Sequence, residues 1–395
     1  MTRHLPPRPV RRAQGFTLVE LLISMTIGLV LIAALGVIMT RYETSKRRNS
    51  TTSDLALNVG YIAYDLDRQL RSAGSGLSQN TGSLGCRINA SLNGTVILPG
   101  PGAFPAPFAG VDTAVRALPV LVYPGQGNNG SDVIQVMTAS AGLSEAPMEV
   151  LLGSVTANSL QLNNTLGIRG SDIMLLTDPA PRDCLVVQAN PTYAGGAGNP
   201  QVNFAGPYFN GAAGPGITSF GTAGSALINM GNQTGNIPRL QLLGINGSRQ
   251  LVAYDLLRLN NMPGAPTTPV PLADNVMDMR VRYGISGGQD GIVSAWIAPN
   301  TGAFTTLAMN AATGNASPAV NIVALRVALL LRGDRIEDSG PVSPTSFTMF
   351  QSLGAGAQVI VGLPAGEEKR NYKVVEFTVP LRNPIMASPF RTPPP

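Results

Sequence analysis

The chain has 395 residues, 44% of them hydrophobic and 5% aromatic, with 27 basic and 22 acidic side chains and a net charge of +5. That length supports a sizeable core, arranged as one enlarged domain or two lobes. The single histidine is His4, so the rest of the chain offers no imidazole for Ser/His/Asp or Cys/His catalysis or for a histidine-based zinc site, and no GxxxxGK[ST] phosphate loop occurs.

In chain order, Arg3, Arg8, Arg11 and Arg12 and three prolines precede Gly15; from Phe16 to Thr40 the only charged residue is Glu20. A helix over 16–40 is about 37 Å long at ~1.5 Å per residue, enough to cross a ~30 Å hydrocarbon layer with some tilt. A secretory signal peptide would end its apolar core at a small-x-small cleavage site, but this span runs on into polar helix. The flanking charges leave orientation open, since Arg41, Lys46, Arg47 and Arg48 balance the four leading arginines. An acid inside a span costs about 2.5–3.5 kcal/mol at the centre and less near an end. Glu20 therefore either snorkels to the headgroups or meets a positive group at its own depth. A cut after Gly15 would create that group on Phe16.

The segment Gly15-Phe16-Thr17-Leu18-Val19-Glu20-Leu21-Leu22 resembles the class III signal of type IV prepilins and type II secretion pseudopilins. The resemblance implies that a membrane aspartyl prepilin peptidase removes residues 1–15 on the cytoplasmic face and N-methylates Phe16. It also implies that Glu20 is the assembly glutamate, meeting the amino terminus of a neighbouring subunit. Without the leader, 23 basic side chains face 22 acidic ones, so the pI near 9.4 belongs largely to the leader. No nucleic-acid surface is indicated, and Lys46-Arg47-Arg48 reads as a headgroup-facing stretch of helix.

Past a possible cap or loosened turn at Asn49–Ser53, apolar residues recur at Leu55, Val59, Ile62, Leu66 and Leu70, one face of a helix. Gly74-Ser75-Gly76 ends the pattern as helix C-termini usually end. An unbroken helix from Phe16 to Ala73 would be about 87 Å long. Gly28 and Gly36 within the apolar half suit close helix packing. The expected divisions are a leader at 1–15, a membrane and filament-core helix at 16–40, an amphipathic continuation at 41–76, a β-rich head at 77–390 and a disordered tail at 391–395.

Within the head, strands are expected at Val133–Met137, Glu149–Val155, Ser159–Leu162, Asp172–Leu176, Cys184–Gln188, Gln250–Leu259, Asn275–Tyr283, Ile292–Trp296, Val320–Leu331 and Tyr372–Pro380. Alternation from Met277 to Tyr283 reads as a half-buried antiparallel strand. The glycine-rich stretch 190–238 reads as a mobile or surface-laid insertion. The fold class is thus α+β, a long N-terminal helix packed on a mostly antiparallel β-rich head. Cys86 and Cys184, in an oxidising compartment, either pair across a long loop, stabilising by about 2–4 kcal/mol, or remain separate buried thiols.

The glycine-rich loop Tyr283–Ile292 imitates a calcium site but supplies Asp290 alone, so a β-turn is the better reading and no metal or cofactor is expected. Val276–Tyr283 with the following turn and Ile292–Trp296 resembles a block of the PilW family of minor pilins. So do Tyr64–Gly74, Ile322–Arg332 and Val379-Pro380-Leu381-Arg382-Asn383, although many relatives carry several aspartates in the turn. The resemblance implies no enzyme but a minor pilin that initiates or tips a type IV pilus. Its partners would be prepilin peptidase, other minor and major pilins, a tip adhesin-like protein, the inner-membrane assembly platform and membrane lipid. It would cross the inner membrane once with its head in the periplasm before entering the pilus. The alternatives are a J-type pseudopilin of type II secretion and a membrane-tethered binding protein or hydrolase.

Overall fold

The computed structural model describes residues 15, 17–77, 81–139, 146–179, 183–196, 198–209, 214–258, 268–287, 291–336, 340–354 and 356–381. Phe16, Asp290, Arg382, Asn383 and the tail 391–395 lie outside them. Two compact units are distinguished, 1–54 and 55–395, and each is described by itself.

The helix α1 spans Leu18–Arg71 and passes through the Asn49–Ser53 segment where a loosened turn was possible. In the first unit its large apolar side chains from Leu18 to Met39 are all more than half exposed. The second unit begins in its later turns, where Ile62, Leu66 and Leu70 are buried and Val59 packs beside them. Their spacing puts them on one stripe, while Tyr61 and Tyr64 stay exposed. Leu55 belongs to the same pattern, but its side chain lies outside the described ones. The helix gives way to turns through Gly74 and Gly76, both with positive φ near +78° and +77°. Gly74 N–H donates to the Met137 carbonyl at 2.8 Å, and Ala139 N–H returns a bond to Ser75 at 3.0 Å. A Cβ on Gly76 would fall 2.4 Å from Ala139 Cβ, so this crossing needs glycine for space as well as for conformation.

Three sheets surround that seat. The first orders its strands Thr95–Leu98, Arg87–Leu92, Asp183–Gln188, Asp172–Thr177, Ala226–Asn232 and Met148–Glu149. All neighbours are antiparallel except Arg87–Leu92 and Asp183–Gln188, where Ile88 lies opposite Cys184. Cys86 and Cys184 are disulfide-bonded at this parallel pair, with Cα atoms 5.6 Å apart and both side chains fully buried. The second sheet runs Val270–Ala273, Leu251–Asp255, Arg239–Ile245, Val133–Thr138 and Val120–Tyr123, all antiparallel. The third, also antiparallel, runs Ala295–Ile297, Val276–Ile285, Ile322–Ile336 and Arg370–Pro380.

Many strands are buried on both faces. Ile173 and Leu175 enter the main core, while Met174 and Leu176 enter a second cluster with Val202 and Phe204. Two-sided burial explains why the run Asp172–Thr177 reads as continuously apolar. It also corrects the half-buried reading of 277–283. Met279, Val281 and Tyr283 face the main core, and the hairpin Ser346–Met349 with Val359–Gly362 covers the other side through Met349, Phe350 and Val361. Asp278 and Arg282 are consequently buried, with the Arg282 guanidinium 4.9 Å from the centre of the Phe350 ring.

The stretch 190–238 also differs from its expectation of a loose insertion. Ala226–Asn232 lies inside the first sheet, Gln201–Asn203 pairs with Ser159–Gln161, and the short 3-10 turn Ile217–Phe220 buries Ile217 and Phe220. Its glycines fit close approaches of backbone: a Cβ on Gly231 would meet the Asn236 carbonyl at 2.1 Å. The Glu149–Val155 strand is likewise shorter than expected, ending at Glu149.

Replacing a buried Leu with Ala in such a core costs about 2–5 kcal/mol, and an exposed helix site about 0.5 kcal/mol or less. Leu66→Ala is expected to destabilise the head by that larger amount and Tyr61→Ala by no more than the smaller. Urea unfolding of the detergent-solubilised full chain, followed through its single tryptophan, Trp296, measures both.

Candidate functional site

The first site is the start of α1. Thr17 precedes the helix, and its hydroxyl accepts a hydrogen bond from Glu20 N–H at 3.3 Å. The Glu20 carboxylate reaches back to accept from Thr17 N–H at 3.4 Å and from Thr17 Oγ1 at 3.3 Å. This reciprocal arrangement is a capping box, which satisfies amide groups that a helix start leaves open and sets an anion against the positive end of the helix dipole. Glu20 therefore has a local partner within its own chain. The sequence reading named Glu20 but missed Thr17, although the Thr-x-x-Glu spacing carries the signal. Gly15 is described next to this box, and the span Leu18–Glu43 is long and apolar enough to cross a membrane.

A second polar constellation lies in the head. Asp132 Oδ2 accepts from Val281 N–H at 2.9 Å and Oδ1 from Gly125 N–H at 3.1 Å, with Arg280 3.8 Å away. Arg280 Nε stands 2.8 Å from Asp278 Oδ1, and its Nη2 donates to Oδ2 at 2.9 Å. Burial pushes the Asp278 carboxyl up to about 6 despite Arg280 beside it, and Asp132 adds to the rise. Burial also raises Asp132, against the opposing backbone bonds and the two arginines. Asp278 and Arg280, but not Asp132, line a pocket of about 150 Å³ with Met277, Leu330 and the stretch Ile360–Pro364. It is small, and its one carboxylate, Asp278, faces Arg280, so it serves packing and charge balance. Among the described residues no group of three or more Asp, Glu, Cys or His is placed to hold a metal.

A third centre is Glu367. Burial alone would raise its carboxyl, but Tyr372, Arg332, Arg249 and Arg370 together hold it below the usual range. Arg249 Nη2 donates at 2.9 Å and Tyr372 Oη at 2.5 Å, tying the second sheet's connection to the third sheet. Near the disulfide, burial of Asp183 is likewise outweighed by Arg87, at 2.7 Å, and by Asn89, so its carboxyl is lowered.

Residues 10–36 match the prokaryotic N-terminal methylation motif, and residues 232–383 match the type IV pilus-assembly protein W family. The chain is a PilW-like type IV pilin. The second match contains the whole third sheet, its covering hairpin and three consecutive strands of the second sheet, Arg239–Ile245, Leu251–Asp255 and Val270–Ala273. Comparison with curated proteins and with solved structures gives no match. As a type IV minor pilin processed at its prepilin motif, the protein belongs among structural subunits that work with other pilins and a prepilin peptidase. Its apolar helix is consistent with a membrane anchor.

Asp278 gives this pilin a pH signature. Its value of about 6 in the folded head lies above the ordinary 3.8, so the folded state holds that proton more tightly. Its contribution is complete below about pH 4 and lost as pH rises through about 6, by roughly 3 kcal/mol at ~1.36 kcal/mol per unit. Asp183 and Glu367 act oppositely, losing stabilisation as pH falls. Melting temperatures of the wild type and Asp278→Asn from pH 4 to 7 should therefore diverge, the wild type losing stability relative to the variant as pH rises.

Proposed function

We propose that this pilin primes or tips the pilus, and that its N-terminal segment acts in two steps. Prepilin peptidase cuts between Gly15 and Phe16 and methylates the new amino group of Phe16. Inserted once in the inner membrane with its head in the periplasm, the mature chain then enters the filament as Glu20 pairs with the terminal ammonium of a neighbouring subunit. The observation that carries this reading is Glu20 capping the first turn of a span whose apolar side chains are all exposed.

The physical case rests on charge in an apolar medium. Unpaired, a buried carboxylate is costly, and a wrongly registered subunit leaves it so. The capping box lowers that cost while the chain waits in the bilayer, because the carboxylate is held by Thr17 and the helix dipole. A carboxylate accepts more bonds than Thr17 supplies, which leaves capacity for an incoming ammonium. Two neighbouring charges that neutralise each other then favour one helix stagger over others. The β-rich head is free of this task and meets other minor pilins or a tip adhesin-like protein.

Two experiments test the segment. Mass spectrometry of the mature protein from a peptidase-proficient host should find N-methylated Phe16 as first residue; an intact Met1 would refute the processing. Glu20→Ala should leave membrane insertion intact and reduce incorporation into pili several-fold. Wild-type amounts of the variant in normal filaments would refute the pairing.

A further inference from the structure

The three main sheets end in six outer strands, and five of them are short. Thr95–Leu98 and Met148–Glu149 close the first sheet, Val270–Ala273 and Val120–Tyr123 the second, and Ala295–Ile297 one side of the third. Short edges limit unwanted pairing, and a proline such as Pro271 removes a donor. Even Val120–Tyr123 is closed by side chains: Val122 N–H donates to Tyr283 Oη at 2.6 Å, and Thr306 Oγ1 donates to the Val122 carbonyl at 3.4 Å.

The sixth outer strand is different. Arg370–Pro380 has eleven residues and pairs along its length with Ile322–Ile336. Among the described residues no strand pairs with its other side. Its first residue is covered, since Ser343 Oγ donates to the Arg370 carbonyl at 2.7 Å. From Asn371 to Val379 an edge of about 30 Å remains, at ~3.4 Å per residue, and every second residue of such an edge turns its N–H and C=O outward. Both apolar rows stop there half finished. Val375 and Phe377 are only partly buried against the main core, and Val374 and Tyr372 only partly buried under the hairpin.

We propose that this edge takes up an extended strand from a different polypeptide, one with a carboxylate opposite Lys373 and an apolar or aromatic side chain beside Phe377. Lys373 is exposed, whereas Glu376 already holds Arg326 at 3.0 Å and the Phe350 N–H at 2.5 Å. Among the described residues no acidic side chain pairs with Lys373, so the positive charge of the edge is uncompensated there. A second copy does not meet the requirement. Residues three apart on a strand point to opposite faces, and residues directly opposed across an antiparallel pair share a face. No two-fold pairing of this edge with itself can set Lys373 against the partner's Glu376. Main-chain bonds would supply affinity, and the side chains beside Lys373 and Phe377 the selection. The inference stands apart from the processing and charge pairing at the N-terminus.

The test uses the full chain in its own host, with a photo-crosslinking amino acid placed singly at Lys373, at Thr378 and, as an exposed control, at Leu152. The expected result is adducts from both edge positions with one heterologous polypeptide, at two sites about five residues apart in a single segment, and none of these from Leu152. Lys373→Glu in the chain crosslinked through Thr378 should lower the adduct yield about fivefold, the worth of one exposed ion pair. Retention of the Cys86–Cys184 bond in that variant shows that the head has folded. Adducts only with a second copy, with residues 382–395 of the same chain, or with scattered sites on many proteins overturn the proposal, as does their absence. An unchanged yield in Lys373→Glu overturns the requirement for a carboxylate.

Discussion

The head is organised around the burial of one helical stripe. Ile62, Leu66 and Leu70 sit in the main core with residues from all three sheets, each contributing about 1.5–3 kcal/mol by leaving water. The chain leaves the helix at Gly74 and Gly76, where two backbone bonds fix it to the second sheet. Helix and sheet are thus joined by apolar contact and by a turn that only small residues can make.

Charge is used sparingly and mostly in pairs. Asp278 and Arg280, Arg326 and Glu376, and the arginines around Glu367 all lie where the third sheet meets its hairpin or the second sheet. Such pairs add little net stability, since desolvation offsets attraction, but breaking one leaves an uncompensated buried charge. They therefore favour one seating of the hairpin over others. Glu20 applies the same physics in an apolar span, where its carboxylate holds its own first turn through Thr17.

Legibility varied with how local the cause was. The stripe from Val59 to Leu70 and the glycine stop after it follow from helical period and backbone conformation, and both were readable. The strand from Met277 to Tyr283 was readable as a strand, but its alternation suggested water on one side. Asp278 and Arg282 are buried because a hairpin some seventy residues later covers them, which no local pattern announces. The 190–238 stretch misled for a related reason: Gly231 marks a close backbone approach inside a sheet, yet in a string of glycines it resembles a loose loop. At the N-terminus, Glu20 stood out as a lone acid, whereas Thr17 went unnoticed because threonine is ordinary in an apolar run.

By itself the sequence determined what depends on neighbours along the chain: the apolar span, the lone acid five residues after Gly15, the amphipathic turns and the strand-rich character of the rest. Only the tertiary structure decided what depends on distant segments meeting. It joined Cys86 to Cys184 across a parallel strand pair, gathered Arg249, Arg332 and Arg370 on Glu367 and, among the described residues, ended five sheet edges in short strands while leaving the long strand Arg370–Pro380 unpaired on one side. The reason is physical: local periodicity fixes which face of an element is apolar, but burial, pKa and edge exposure depend on which other element covers it.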